Sequence, residues 1–322
     1  MSKEKEYTAV RKILEKEKNI ILLSHINPDG DSIGSLAAMA RFLIKLEKEV
    51  IIALTDKTPE RYAFLLEGLP TVDSLTDLKG KTVIVLDSSD LSRIKTFPEV
   101  RHASVLVNID HHVSNKKYGS INLIDDSAAA TGEIIYTLIN MFPGMMDTEI
   151  AAALYVAIST DTGSYKYDNT TSKSFAISAE LIKYGFKIGT LSAKIFDERS
   201  LAATMLIKEG LETIEFFAGG KICCMTISRE IFERTMARDE DMDGLINYTI
   251  NIRGVEVGVL FFQQPDGREI RVGFRSRKID VSQLALKLGG GGHVNAAGCS
   301  VAGTFYEVKA KVLNLVQEQL KV

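Results

Sequence analysis

The sequence predicts an α/β protein: an N-terminal domain built on a parallel sheet with helices on both faces, a helical linker, and a smaller α+β domain with a mixed sheet. Three observations carry this. Continuous apolar runs recur in the first half, at Asn19–Leu23, Glu49–Leu54, Thr82–Leu86 and Ser104–Ile109, separated by helical patterns or long connections. Strands buried on both faces read this way, whereas strands with one wet face alternate. After about residue 217 the pattern changes: Lys221–Ile227 alternates, and Glu256–Gln263 and Glu269–Phe274 flank Gln264-Pro265-Asp266-Gly267-Arg268, a hairpin signal. The length of 322 residues suits about two domains. The expected division is 1–188 for the first domain, 189–217 for the linker and 218–322 for the second.

Glu6–Lys18 reads as an opening helix and Asn19–Leu23 as the first strand. The stretch Ser24-His25-Ile26-Asn27-Pro28-Asp29-Gly30-Asp31-Ser32-Ile33-Gly34-Ser35 is a turn leading into the amphipathic pattern Leu36–Glu47. Pro28 and Gly30 fit a tight turn, and Asp31 or Ser32 can cap the helix. Helical patterns follow at Thr58–Glu67, Ala128–Met141, Thr148–Thr160 and Thr171–Tyr184. From Ile188 to about Phe217 few turn signals interrupt a helical pattern, hence the linker. Val281–Leu288 is helical and runs into Gly289-Gly290-Gly291-Gly292-His293; Phe305–Leu320 closes the chain as a helix.

Composition bounds the function. With 45% hydrophobic and 25% charged residues the chain can bury a large core. A net charge of −3 argues against a protein that coats long nucleic acid, including long duplexes. No apolar run is long enough to span a membrane, and the charged N-terminus lacks a signal-peptide core. The three cysteines, Cys223, Cys224 and Cys299, give neither a disulfide framework nor a zinc spacing; a reducing, cytoplasmic setting follows most simply.

Chemistry concentrates where the apolar runs end. His25, Asp29 and Asp31 follow the first strand, Asp87 the third and His111 the fourth, and loops at carboxyl ends of parallel strands converge on one edge. Asp161, at the end of a helix, can reach the same rim. The alternative for Asp87-Ser88 is a helix cap, and for Asp161-Thr162-Gly163 a C-terminal turn. Adjacent histidines after a buried strand, in a chain with only five His, resist such an explanation. Two His and four Asp exceed what one catalytic zinc takes and suit a pair of cations, Mn²⁺ first or Mg²⁺, with one carboxylate shared. Such a pair activates water and stabilises both oxygens of an in-line displacement at phosphorus. Separately, the glycine run frees consecutive backbone N–H groups for an anion-binding nest, and Arg275 nearby suits phosphate; Arg277 and Lys278 read as solvated.

The residues His25-x-x-x-Asp29-x-Asp31-x-x-Gly34-Ser35, Asp87, Asp110-His111-His112 and Asp161-Thr162-Gly163 closely resemble the motifs of the DHH phosphoesterase family. Arg275-Ser276 and Gly289-Gly290-Gly291-Gly292-His293-Val294-Asn295-Ala296-Ala297-Gly298 resemble its DHH-associated C-terminal domain. The resemblance implies that residues matching His25, Asp29 and Asp87 hold one metal and those matching Asp31, Asp87, His111 and Asp161 the other, with Asp87 bridging. It implies that Asp110 orients histidine, that His112 contacts the scissile phosphate, and that Arg275, Ser276, Gly290, Gly291, Gly292 and His293 bind substrate across an interdomain cleft. The chain is too short for the RecJ type and lacks the spans of the membrane-bound cyclic-dinucleotide phosphodiesterases. It resembles the compact NrnA type, which hydrolyses RNA oligomers of a few nucleotides to mononucleotides and dephosphorylates 3′-phosphoadenosine 5′-phosphate (pAp). The alternatives are a cyclic di-AMP or pApA phosphodiesterase and, in another class, an inactive nucleotide-binding sensor. A homodimer is the base-rate expectation.

Overall fold

The computed structural model describes residues 3–321 except 76, 77, 79, 95, 96, 265, 266 and 268. The chain forms two compact units, Met1–Glu198 and Arg199–Val322. The first comprises α1 (Lys3–Lys16), β1 (Asn19–Leu23), α2 (Gly30–Lys45), β2 (Glu49–Ala53), α3 (Glu60–Ala63), β3 (Thr71–Val72), β4 (Thr82–Leu86), β5 (Val105–Asp110), β6 (Ile121–Ile124), α4 (Thr131–Ile139), α5 (Thr148–Asp161), α6 (Ser172–Ile182) and α7 (Ile188–Ser192). Its six strands form one parallel sheet, in the order β3-β2-β1-β4-β5-β6.

Alternate residues of each strand serve opposite faces. Ile20, Leu22, Ile84, Leu86, Val107 and Ile109 pack with α1, α2, α4 and α5 in one large core. Ile21, Leu23, Val83, Val85 and Leu106 face the other way, where Leu78, Ile94, Phe97 and Val100 cover them from short 3₁₀ segments and loops. Both faces are dry, which is why the strands read as unbroken apolar runs.

The packing of α2 against α5 positions the site. A Cβ on Gly34 would lie 2.6 Å from Ala153 O and 2.9 Å from Ala157 N, and one on Gly30 would overlap the Thr160 side chain. Only glycine lets the helices approach this closely, and their contacts run antiparallel. The start of α2, carrying Asp31, therefore meets the end of α5, carrying Asp161.

Helix α2 begins at Gly30, six residues before the amphipathic pattern becomes legible, and its cap is Asp29, whose Oδ1 accepts from Ser32 N at 3.0 Å. Asp31 and Ser32, expected as caps, lie inside the first turn. The first turn is buried like the rest, but its small and polar residues do not show the apolar period. Residues 189–217 are not one helical run: α7 continues as a π-turn over Ala193–Asp197, the backbone extends at Glu198, and Ser200 caps a new helix.

The second unit comprises α8 (Leu201–Glu212), β7 (Glu215–Phe217), β8 (Ile222–Ile227), α9 (Arg229–Arg234), α10 (Asn247–Ile250), β9 (Val257–Gln263), β10 (Glu269–Ser276), α11 (Val281–Lys287), β11 (Gly291–His293), β12 (Ala296–Ala302) and α12 (Phe305–Leu320). Its sheet, β11-β12-β10-β9-β8-β7, is mixed, with β8–β9 parallel and the other pairs antiparallel. Val257, Val259 and Phe261 pack in one cluster with α11 and α12, whereas Leu260 and Phe262 pack with residues of α8 and α9 in another. The β9–β10 hairpin forms as expected; Pro265, Asp266 and Arg268 of its turn lie outside the described residues. Cys223 and Cys224 are buried in β8, and burial raises their thiols to about 11 and about 12, as befits inert core residues. Among the described residues no helix is long and apolar enough to cross a membrane.

Candidate metal centre

At the carboxyl edge of the first sheet the structure brings His25, Asp29, Asp31, Asp87, His111 and Asp161 together. Three groups of ligand atoms each lie within 4.8 Å: His25, Asp29 and Asp87; Asp31, His111 and Asp161; and Asp87, His111 and His112.

Asp87 joins them. It ends β4 in a left-handed conformation, φ 54°, unusual for a non-glycine residue and held by its N–H donating to Ile109 O at 2.9 Å. That turn aims its two oxygens in different directions. Oδ2 lies 3.4 Å from His25 Nε2, and Oδ1 lies 3.7 Å from His111 Nε2. Thr131 Oγ1 donates to Oδ1 at 3.1 Å.

Each histidine is turned by a hydrogen bond to its other nitrogen. His25 Nδ1 lies 2.7 Å from Ile26 O and 3.0 Å from Arg93 Nη2. The shorter contact places the proton on Nδ1 and leaves Nε2 facing the carboxylates. Burial lowers the His25 pKa, favouring the neutral imidazole that binds cations. His111 Nδ1 donates to Ala128 O at 3.2 Å, leaving Nε2 3.5 Å from Asp161 Oδ2 and 3.9 Å from Asp31 Oδ2. His112 Nδ1 donates to Asp110 Oδ1 at 2.7 Å.

Asp110 is fully buried and supports the motif from below. Its Oδ1 also accepts from His111 N at 2.9 Å, and its Oδ2 from Asn115 Nδ2 at 2.5 Å. Burial pushes its pKa up, but these hydrogen bonds and the neighbouring histidines hold it below the usual carboxylate value. Asp31 is fixed by the start of α4: Thr131 N donates to Oδ2 at 2.6 Å and Gly132 N to Oδ1 at 3.0 Å.

Burial, followed by repulsion from neighbouring carboxylates, raises Asp31 and Asp87 well above the ordinary carboxylate range, and burial raises Asp161 to about 6. Carboxylates held this close, with histidine Nε2 atoms turned among them, form a donor set that divalent cations fit.

Sequence reasoning named the candidate ligands but missed their supports. Thr131 reaches Asp87 and Asp31, and Asn115 bridges Asp110 and Asn108 Oδ1 at 2.8 Å. Arg93 O accepts from Ile26 N at 2.8 Å, holding the turn that carries His25. Polar residues in loops carry no periodic signal that separates these roles from turn chemistry.

In the second unit, Arg275 on β10 and His293 on β11 both pair with Ala296 of β12. Directly opposed residues share a face, so arginine and histidine flank a methyl group in one row. The glycine run is not the expected open nest. Gly289 N and Gly290 N donate to Leu286 O and Ala285 O, closing α11, while Gly291, Gly292 and His293 form an edge strand. A Cβ on Gly290 would lie 2.2 Å from Gly298 O, and one on Gly292 would lie 2.5 Å from Ala297 Cα; Gly289 and Gly291 face open space. Ser276 Oγ accepts from Lys278 N and Ile279 N, and Lys278 pairs with Glu256.

Residues 19–158 match the DHH family N-terminal domain and residues 220–322 the DHHA1 domain. A bifunctional oligoribonuclease and PAP phosphatase NrnA of Thermus thermophilus is 32% identical over 311 residues, 94% of this chain and 91% of the relative. The chain belongs to the DHH family. A second DHH relative of the same description, from Bacillus subtilis, is 31% identical over 287 residues, 88% of this chain and 89% of the relative. An exopolyphosphatase-related protein from Bacteroides fragilis has the same fold, with a TM-score of 0.89 at 23% identity over 99% of this chain and 97% of that one. The exonuclease RecJ bound to manganese is a more distant match, with a TM-score of 0.53 at 12% identity over 97% of this chain and 93% of that one. This DHH protein is a hydrolase of phosphoester bonds.

Proposed function

We propose that this enzyme is a two-cation phosphoesterase that degrades RNA oligomers of a few nucleotides to mononucleotides and removes the 3′-phosphate of pAp. The observation that carries the reading is the division of Asp87, with one oxygen toward His25 and the other toward His111. His25, Asp29 and Asp87 would hold one cation, and Asp31, Asp87, His111 and Asp161 the other. The RecJ structure with manganese makes Mn²⁺ the first ion to try, ahead of Mg²⁺. Bound cations would lower the pKa of water and neutralise charge on the phosphoryl oxygens.

The chain's own groups do the rest. The α4 backbone N–H groups and Thr131 fix Asp31 and Asp87 before substrate arrives, so no reorganisation is needed at the moment of reaction. Asp110 holds His112 by Nδ1; in the imidazolium form of His112, Nε2 also carries a proton that it can give to the departing oxygen. By the family resemblance, Arg275 and His293 of the second unit would bind an anionic group of the substrate. The relatives named for oligoribonuclease and PAP phosphatase activity support this substrate class.

The test is Mn²⁺-dependent hydrolysis of 5′-labelled RNA of about two to five nucleotides, beside pAp and cyclic di-AMP, with Asp87→Ala as control. Turnover of short RNA and pAp, lost in the control, is expected. Turnover of cyclic di-AMP alone would replace this reading with a cyclic-dinucleotide phosphodiesterase, and binding without turnover would replace it with a sensor.

A further inference from the structure

Asp161 is followed by a segment whose geometry the metal centre does not use. Gly163, Ser164 and Tyr165 all take left-handed conformations, φ 57°, 59° and 62°, a costly run for two non-glycine residues. It doubles the chain back so that Lys166 N and Tyr167 N both donate to Thr162 O, at 2.9 and 3.1 Å. Thr170 N then donates to Tyr167 O, and Asn169 Nδ2 ties the loop to Asp161 O at 3.0 Å and to Ala129 O at 3.2 Å.

The outcome is the placement of one ring. A Cβ on Gly163 would lie 2.4 to 2.6 Å from three atoms of the Tyr167 ring, so the ring lies directly over the Gly163 backbone and only glycine permits it. Tyr167 nevertheless remains 60% exposed. Tyr165, by contrast, turns inward to stack on Phe175 and hydrogen-bond Ser178. A folding core has no need of an exposed ring pinned to the backbone. A substrate with a flat aromatic group beside its scissile phosphate does, because a pre-ordered ring stacks on it without losing rotamer freedom on binding.

We propose that Tyr167 is a substrate-positioning residue, its ring stacking on a nucleobase adjacent to the phosphate that is cleaved. This rests on the nucleotide-phosphoesterase reading above and makes the base, as well as the phosphate, part of what the first unit recognises. Stacking on a single aromatic face is tolerant of base identity, so all four bases are accepted.

The test compares Tyr167→Ala and Tyr167→Phe on 5′-phosphorylated diadenylate and on analogues in which one or the other adenine is replaced by hydrogen. Tyr167→Ala is expected to raise KM for the diadenylate about tenfold, within the range that one stacked base carries, with kcat changed less than about twofold. Tyr167→Phe keeps the wild-type KM, and Tyr167→Ala leaves KM unchanged on the analogue lacking the stacked base. A KM insensitive to Tyr167→Ala, an equal rise on both abasic analogues, or failure of Tyr167→Phe to restore it overturns the assignment while leaving the enzyme's activity standing. No turnover of the diadenylate by the unaltered enzyme overturns both.

Discussion

Asp161→Asn should make the metal-free protein more stable. The Asp161 carboxyl is pushed up to about 6, first by burial and then by the charges of Asp29 and Asp110, against the opposing effect of His111. An unfolded aspartate releases its proton near 3.9. Between these values the folded chain binds more protons than the unfolded one, so this group's contribution falls as pH rises and the full penalty persists above the folded value. A displacement of about 2 in pKa corresponds to about 3 kcal/mol. The side chain keeps 29% exposure, so solvent screening makes that figure a ceiling. Asparagine has no proton to lose. In chelator, the stability difference between variant and parent should grow from near zero at about pH 4 to at most about 3 kcal/mol above about pH 7. At roughly 2–4 °C per kcal/mol for a unit of this size, the rise in Tm is up to about 10 °C. Thermal melts from acid to pH 8 measure it, and the comparison cancels the pH dependence of carboxylates remote from the site, while Asp31 and Asp87, which Asp161 helps to raise, are relieved along with it. Saturating Mn²⁺ should narrow the difference, because a cation at a hundred times its Kd adds about 2.7 kcal/mol to the parent and less to a variant with a weakened site. A difference independent of pH, or a variant less stable in chelator at pH 8, would refute the view that the carboxylates are held in mutual repulsion until a cation arrives.

Three other substitutions probe the supports. Asp110→Asn should lower turnover about 10- to 100-fold, as loss of a residue orienting an active histidine does; steady-state kinetics with the cation saturating would detect it. Thr131→Val removes the hydroxyl that donates to Asp87 and leaves the backbone bond to Asp31, so cation affinity measured by calorimetry should fall about tenfold. Gly34→Ala would drive a methyl group into Ala153 O and Ala157 N and should cost about 1–3 kcal/mol by overpacking; an unchanged melting temperature would mean that α2 and α5 are not in such close contact.

The elements the sequence missed share a cause. β6 is a four-residue edge strand, Ile-Asn-Leu-Ile, too short and too polar to stand out. β11 and β12 are rich in glycine and alanine, poor strand formers in isolation, and pair because β10 offers an edge and Gly290 and Gly292 allow close approach. The true start of α2 lay hidden because three of the four residues of its first turn, Gly30, Asp31 and Ser32, are small or polar and carry no apolar period. The same conflict between local pattern and chemistry is expected at functional sites.

The sequence alone determined which chemistry the protein brings: buried parallel strands, three of which run into carboxylates and imidazoles, with motifs particular enough to name the family. Those features are local, residue types at fixed distances from an apolar run. Tertiary structure decided how they combine. The positive φ of Asp87 splits its oxygens between two groups of ligands. Antiparallel packing of α2 on α5 carries Asp31 to Asp161 across 130 residues of chain. The strand register sets Arg275 and His293 in one row about Ala296. Each depends on where a side chain points relative to a distant backbone, and spacing along the chain does not record that direction.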